Sequence, residues 1–210
     1  MIDILQLPLG PIETNCYIVA CQETMMAAVI DPAWDGRAIA ATADERGYEI
    51  SHILLTHSHF DHVGGLADVK AETAVSIYIH PEAIPMLNVA TQAANRWQMN
   101  IPEPPEPDEM LSDNQTLKVG NITLKVLYTP GHAPGHVAYY LPDYNVVFSG
   151  DALFRQGIGR TDLPGGDMPT LLASIRDRLL ILPDETQVFS GHGPATTIGD
   201  EKRGNPWLQG

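Results

Sequence analysis

This sequence of 210 residues contains few basic residues, only two cysteines and no long apolar run. Lysine and arginine total 12, against 26 aspartate and glutamate residues, which gives a net charge of −14. Nucleic acids and anionic membranes are bound through basic patches, so this balance argues against both as partners. Residues 1–5 lack the basic and apolar regions of a signal peptide, and no segment approaches the ~20 consecutive apolar residues of a membrane-spanning helix. We therefore expect a cytoplasmic protein.

The two cysteines, Cys16 and Cys21, are too few for a thiolate-rich zinc site. If they lie on one strand, five positions apart, they point to opposite faces at a separation of about 16 Å. A disulfide cannot span that distance. We expect both to be small buried residues, and any bound metal to depend on histidine and aspartate.

A dense group of metal-ligand candidates follows the apolar run at residues 53–55. It consists of His57, His59, Asp61 and His62. Imidazole and carboxylate groups suit a divalent transition metal. On an extended segment, His57 and His59 point the same way because strand side chains alternate. The second pair comes where a helix is predicted to begin, near Val63, and this change of direction gives the segment the means to hold two metals.

Apolar periodicity and turn residues predict a mixed α/β fold. Strands are predicted at residues 2–7, 15–21, 26–30, 52–55, 74–80, 115–119, 122–128, 137–141, 145–149 and 187–190, and helices at residues 36–46, 63–71, 168–180 and 198–204, with another from Pro81 towards Trp97. Residues 101–110 contain four prolines and four acidic residues, which predict a surface loop, or alternatively a rim that covers the site. The elements on either side suit two similar halves, each a sheet covered by helices on one face.

Three more ligand candidates each follow a predicted apolar strand. His132 follows residues 126–128, Asp151 follows residues 146–148, and His192 follows residues 188–189. Strand ends in a rigid sheet position loops with the accuracy that ligation needs. We therefore expect these side chains to join the first group where the two halves meet.

Four short motifs occur in the order typical of one family. They are residues 57–62 (His-x-His-x-Asp-His), 130–132 (Pro-Gly-His), 149–151 (Ser-Gly-Asp) and 190–194 (Ser-Gly-His-Gly-Pro). In these motifs the sequence resembles the metallo-β-lactamase superfamily. Residues 14–17 (Thr-Asn-Cys-Tyr), 157–162 (Gly-Ile-Gly-Arg-Thr-Asp) and 205–208 (Asn-Pro-Trp-Leu) resemble its glyoxalase II branch, in the short form. The resemblance implies one domain over residues 1–210, an αββα sandwich of two β-sheets flanked by helices.

The resemblance also implies a ligand set for two divalent metal ions. His57, His59 and His132 would hold one ion, Asp61, His62 and His192 the other, and Asp151 would bridge them. Asp61 and Asp151 would thereby also take part in catalysis. Zinc, iron and manganese all suit such ligands, and the sequence does not distinguish between them.

The glyoxalase II branch hydrolyses S-hydroxyacyl-glutathione thioesters, so the resemblance implies a thioesterase acting on S-lactoylglutathione or a related thioester. Arg160 matches a basic residue that meets the glycine carboxylate of glutathione in that branch, whereas Asp162 replaces an aromatic residue. The sequence ends at Gly210, before the segment that holds glutathione in longer members. We therefore expect weak binding of glutathione conjugates, or another thiol carrier, by a monomer or homodimer.

Two other functions remain open. A persulfide dioxygenase branch of the same superfamily also carries a Gly-Arg-Thr-Asp stretch, and it binds one iron through counterparts of His57, His132 and Asp151. Against it, the loop at residues 191–194 resembles the two-metal form. A non-catalytic metal-binding protein is the alternative of another class. The ratio of metal to protein, together with oxygen consumption, separates these functions.

Structural roles account for several other candidate residues. We expect His136 to brace its loop rather than ligate a metal, and His52 and His80, at strand ends, to be structural. Asp31 either accepts a hydrogen bond from a ligand imidazole, fixing its tautomer, or caps a turn. Cys16 has no visible partner that would activate it as a nucleophile.

Overall fold

Two six-stranded sheets form the centre of the computed structural model, which describes residues 1–209. The first sheet contains β1 (Ile2–Leu9), β2 (Thr14–Cys21), β3 (Met26–Ile30), β4 (Glu49–Leu54), β5 (Ile77–Ile79) and β6 (Glu109–Met110), in that order. β1 to β3 pair antiparallel and β3 to β6 pair parallel. β2 is buried along its whole length because both of its faces are covered.

The second sheet is built mainly from the last half of the chain. It contains β7 (Thr116–Val119), β8 (Ile122–Tyr128), β9 (Val137–Leu141), β10 (Val146–Gly150), β13 (Gln187–Ser190) and β14 (Thr196–Thr197), and a separate small ribbon pairs β11 (Leu153–Phe154) with β12 (Gly157–Ile158). Its order is β14-β13-β10-β9-β8-β7. β7–β8 and β9–β10 are antiparallel pairs of strands that are consecutive in the chain. β10 and β13 are parallel, so both end at the same edge of the sheet.

Helices cover the outer face of each sheet. They are α1 (Gly36–Glu45), α2 (Phe60–Val63), α3 (Leu66–Thr73), α4 (Ile84–Leu87), α5 (Ala90–Arg96), α6 (Met168–Ser174) and α7 (Ile198–Gly204). Three apolar clusters separate the layers: one under the helices of the first sheet, one between the sheets, and one under α6 and α7. The fold is therefore the predicted αββα sandwich.

The two cysteines follow the alternation of β2. Cys16 packs on the helix-covered side of the first sheet, whereas Cys21 packs between the sheets. Both are free and buried, as predicted. Burial raises the pKa of the Cys16 thiol, which removes it further from any nucleophilic role.

Several predicted element boundaries were wrong. The helix predicted at residues 63–71 is divided between the end of α2 and α3, where the N–H of Gly65 donates to the carbonyl of Pro32 at 2.8 Å instead of continuing α2. The strand predicted at residues 74–80 begins only at Ile77, after Ala74 ends α3 with a φ of 57°. Such a left-handed residue cannot continue a strand.

The helix predicted to run from Pro81 is three short pieces. A 3₁₀ turn, Pro81–Ala83, precedes α4 and α5. Pro85 near the start of α4 has no N–H with which to continue the preceding turn. The helix predicted at residues 168–180 consists of α6 followed by a π-helical turn, Ile175–Leu179. Residues 101–108 contain no strand or helix, as predicted, before β6 pairs with β5.

Strand ends bring the predicted ligands together. β4, β8, β10 and β13 end at Leu54, Tyr128, Gly150 and Ser190, and each predicted ligand lies beyond one of these ends. Of the helices in residues 1–209, none is long and apolar enough to cross a membrane. Gly210, the last residue of the predicted domain, lies outside the described residues.

Candidate metal centre

The first donor group, called here the three-histidine cluster, consists of His57, His59 and His132. The Nδ1 atom of His59 lies 3.1 Å from Nε2 of His57 and 2.9 Å from Nε2 of His132. The His59 ring is nearly perpendicular to both neighbouring rings. Three ring nitrogens therefore converge on one point, in the grouping that the resemblance implies.

The second group, called here the mixed cluster, consists of Asp61, His62 and His192. The Oδ2 atom of Asp61 lies 3.2 Å from Nε2 of His192 and 3.5 Å from Nε2 of His62. Asp61 and His62 reach this position because α2 begins at Phe60 and turns them away from the preceding strand. The predicted change of direction after residue 59 is thus present.

Asp151 lies between the two clusters. Its Oδ2 atom is 3.5 Å from Nε2 of His132 and 3.6 Å from Nε2 of His192, while its Oδ1 atom is 3.3 Å from Nε2 of His62. Two donor groups that share one carboxylate suit a binuclear metal site.

Two atoms of this centre are buried without a hydrogen-bond partner among residues 1–209. They are Nε2 of His62 and Oδ1 of Asp151. Unpaired buried polar atoms are rare because each loses its hydration without compensation. Both atoms face the centre, where a divalent cation would satisfy them, so these residues fit the metals that the donor set implies.

A hydrogen-bond network fixes the tautomers of the ligand histidines. Asp31 accepts hydrogen bonds from Nδ1 of His62 at 2.9 Å and from the hydroxyl of Thr56 at 2.6 Å. Because the only hydroxyl proton of Thr56 is used in this way, its oxygen accepts from Nδ1 of His57, at 2.9 Å. The carbonyl of Arg160 accepts from Nδ1 of His132 at 2.8 Å. In the neutral form of all three rings the lone pair is therefore on Nε2, directed at the centre.

Electrostatics divides the two clusters. Burial, reinforced by neighbouring imidazoles, lowers the pKa of His57 well below its usual value and that of His59 to about 4. Burial also opposes protonation of His62 and His192, but nearby carboxylates outweigh it and raise the pKa of both rings. The three-histidine cluster is thus ready to bind a cation at neutral pH, whereas the mixed cluster must release protons.

His136 supports Asp151 without joining either cluster. Its Nε2 accepts a hydrogen bond from the backbone N–H of Asp151 at 3.1 Å, and its Nδ1 donates to the hydroxyl of Thr129 at 2.8 Å. Gly159 packs against the same residue, since a Cβ there would lie 1.9 Å from the carbonyl oxygen of Asp151. The predicted bracing role of His136 is confirmed.

Arg160 lies beside the centre but is already paired. Its guanidinium forms two hydrogen bonds of 2.7 Å with the carboxylate of Asp162, and both side chains are more than half exposed. The backbone carbonyl of Arg160 contacts His132 directly, so the residue lies at the edge of the centre. Asp162 therefore competes with any anion that would bind the arginine.

The remaining predicted residues lie outside the centre. His52 packs against Tyr78, and His80 stacks on Tyr128. The sequence did not predict that Thr56 and the Arg160 carbonyl orient ligand histidines, since a threonine beside a ligand and a backbone oxygen carry no compositional signal. The hydrogen bond between Asp31 and His62 was one of two interpretations, and the structure contains it.

Comparison with known proteins places this geometry in a family. The model of the metallo-β-lactamase superfamily matches residues 9–192. The chain belongs to this superfamily. It is 36% identical to hydroxyacylglutathione hydrolase GloC of Haemophilus influenzae over 96% of each chain.

Two solved structures are similar in both fold and sequence. The B3 metallo-β-lactamase BLEG-1 has a TM-score of 0.93 and 41% identity, with 99% of this chain and 100% of that one covered. A di-iron-bound form of TTHA1623 has a TM-score of 0.90 and 43% identity, with 97% and 100% covered. The superfamily and its fold are therefore established, and its members are generally metal-dependent enzymes.

Proposed function

We propose that this protein is a binuclear metal-dependent hydrolase that cleaves a thioester, with S-lactoylglutathione or a related S-hydroxyacyl thioester as substrate. The observation that carries the proposal is the position of Asp151 between the three-histidine cluster and the mixed cluster. The similarity to hydroxyacylglutathione hydrolase GloC supports the substrate class. The di-iron form of TTHA1623 supports two metals and makes iron a candidate beside zinc and manganese.

Each residue of the centre then has a role. His57, His59 and His132 would hold one cation, Asp61, His62 and His192 the other, and Asp151 would bridge them. When bound there, two such cations would lower the pKa of a water towards neutrality and would polarise the substrate carbonyl as Lewis acids. Asp31 and Thr56 keep two of the imidazoles in the tautomer that ligates. A thiolate leaves without a strong general acid, and none is required of the chain.

The substrate reaches the centre from the side of His192. The side chain of His192 is 30% exposed, in contrast to His57 and His62, which are fully buried. Phe154 faces the His192 ring with a centroid separation of 6.2 Å. We propose that Arg160, on the adjoining loop, meets a carboxylate of the substrate after exchanging its bond to Asp162.

Steady-state hydrolysis of S-lactoylglutathione tests this function in protein loaded separately with zinc, iron and manganese. We expect turnover that requires metal, with weak substrate binding because the chain has a net charge of −14. Glutathione persulfide in an oxygen electrode is the parallel assay. Oxygen uptake with the persulfide, and no thioester cleavage with any of the three metals, would assign the protein to the dioxygenase alternative.

A β-lactam is a second candidate substrate, because BLEG-1 is similar over nearly the whole chain. The same two cations would serve either reaction, since both begin with attack on a carbonyl carbon. A chromogenic cephalosporin measured beside the thioester separates the two. Higher kcat/KM on the cephalosporin would replace the thioester as the substrate while leaving the binuclear centre in place.

A further inference from the structure

We propose that Thr14, Asn15 and Tyr17, at the start of β2, hold the mixed cluster together and set its affinity for the second cation. The inference rests on the proposed binuclear site, because it concerns how one half of that site is held. These residues belong to the Thr-Asn-Cys-Tyr motif, to which the hydrolytic chemistry assigns no part.

Thr14 acts on a ligand directly. Its hydroxyl donates a 2.9 Å hydrogen bond to Oδ2 of Asp61, and both residues are buried. The same oxygen faces the Nε2 atoms of His62 and His192. The hydrogen bond therefore fixes the rotation of the carboxylate and occupies one lone pair, so that Oδ2 presents its other lone pair to the cluster. Such hydrogen bonds to a ligand carboxylate tune both geometry and metal affinity.

Asn15 acts on the loop that carries His192. Its Nδ2 donates hydrogen bonds of 2.9 Å to the carbonyls of Ser190 and Gly193, which lie on either side of that histidine. Its Oδ1 accepts from Nε2 of Gln6, also at 2.9 Å, which fixes the orientation of the amide. One side chain thus holds both ends of the short segment that presents His192.

Backbone and tyrosine contacts complete this connection. The N–H of Asn15 donates to the carbonyl of Gly191 at 2.7 Å, and the hydroxyl of Tyr17 donates to the carbonyl of Ser190 at 2.7 Å. A Cβ at Gly191 would lie 2.1 Å from Oδ1 of Asp151. The loop backbone therefore packs against the bridging carboxylate with no free space, so a small shift of the loop displaces ligands of the mixed cluster.

The three-histidine cluster depends on other contacts. His57 is held by Thr56, and His132 by the carbonyl of Arg160. Within residues 1–209, no hydrogen bond joins Thr14, Asn15 or Tyr17 to a member of that cluster. Loss of the β2 contacts should thus lower the affinity for the second cation and leave the affinity for the first unchanged. A purely structural connection between the sheets would not discriminate between the two.

The test is a titration of metal-free protein with cobalt(II) against a competing chelator, which gives two affinities and a visible spectrum for each cation. Thr14→Val should lower the affinity for the second cation by about ten- to a hundredfold, the range found when a hydrogen-bond partner of a metal ligand is removed. The first affinity should change by less than about threefold, consistent with hydrogen bonds that do not reach that cluster. Thr14→Ser, which keeps the hydroxyl, should restore the second affinity.

Thr42→Val is the matched control. Thr42 donates a 2.7 Å hydrogen bond to the carbonyl of Ala38 within α1 and forms no hydrogen bond with either cluster, so both affinities should equal those of the wild type. Asn15→Leu should reproduce the Thr14→Val pattern. Its unchanged first affinity would show that the protein is folded.

The outcomes separate the inference from the proposed function. A wild type that binds only one cobalt ion overturns the binuclear function and the inference with it. If the wild type binds two cobalt ions, and Thr14→Val leaves both affinities unchanged or lowers both equally, the inference alone is overturned. Selective loss of the second cation, restored by Thr14→Ser, supports it.

Discussion

Asp31 is the residue whose replacement tests most sharply how this chain prepares an imidazole for ligation. Its Oδ1 accepts from the backbone N–H of Thr56 at 2.7 Å, and its Oδ2 accepts from the Thr56 hydroxyl and from Nδ1 of His62. Asp31→Asn keeps the shape but replaces one oxygen by an N–H donor. In one orientation that donor faces the backbone N–H of Thr56, which cannot adapt.

In the other orientation the new donor faces Nδ1 of His62. That ring can adapt by moving its proton from Nδ1 to Nε2, which is the atom directed at the mixed cluster. The lone pair needed for ligation is then lost. The new donor also faces the Thr56 hydroxyl, whose proton then turns to Nδ1 of His57 and moves the proton of that ring to Nε2 as well. We therefore expect both cations to bind about ten- to a hundredfold more weakly, equivalent to ~1.4–2.7 kcal/mol for each.

Two measurements check this result. Competition with a chelator gives the affinity, and nitrogen NMR of histidine-labelled protein reports which ring nitrogen of His62 carries the proton. Asp35→Asn is the matched control, because Asp35 also has a left-handed backbone, with φ 47°, but is exposed and caps α1 without a side-chain hydrogen bond. Unchanged affinity in Asp31→Asn, with the proton still on Nδ1, would refute the reasoning.

Three further predictions follow from the same geometry. Asp151→Ala should lower the affinity for both cations and abolish hydrolysis, while the circular dichroism spectrum stays native. Near-normal turnover would contradict its bridging role. Arg160→Ala should raise KM about three- to tenfold with kcat nearly intact. The effect is modest because Arg160 must give up its exposed bond to Asp162 before it binds the substrate carboxylate. Asp162→Asn should lower KM, and steady-state kinetics measures both changes. Because carboxylates raise the pKa of His62 and His192, second-cation affinity should fall as pH falls through those values, with proton release in calorimetry, and an equal pH dependence at both cations would contradict this.

Short-range patterns in the sequence predicted mixed α/β elements and the positions of the ligand candidates, whereas the αββα layers were implied by the resemblance to the metallo-β-lactamase superfamily. The apolar strands β4, β8, β10 and β13 end just before the ligand motifs, and hydrophobic alternation places Cys16 and Cys21 on opposite faces. Imidazoles and carboxylates in such density have few uses other than metal binding. These features need no knowledge of distant contacts.

The parts that could not be predicted depend on contacts between distant segments. Between α2 and α3, the N–H of Gly65 donates to the carbonyl of Pro32, a residue 33 positions earlier. The hydrogen bond from Thr14 to Asp61 joins residues 47 positions apart, and that from Asn15 to Gly193 joins residues 178 apart. The pairing of Arg160 with Asp162 is local, but two exposed side chains of opposite charge need not meet, so the sequence alone did not favour it.

The ratio of metal to protein in metal-replete wild type tests the central claim most directly. The shared position of Asp151 between two donor clusters predicts two ions per chain, whichever of zinc, iron or manganese is supplied. His192→Ala, prepared in the same way, should retain one, because the three-histidine cluster is left intact. A wild-type ratio of one ion per chain would contradict the binuclear centre.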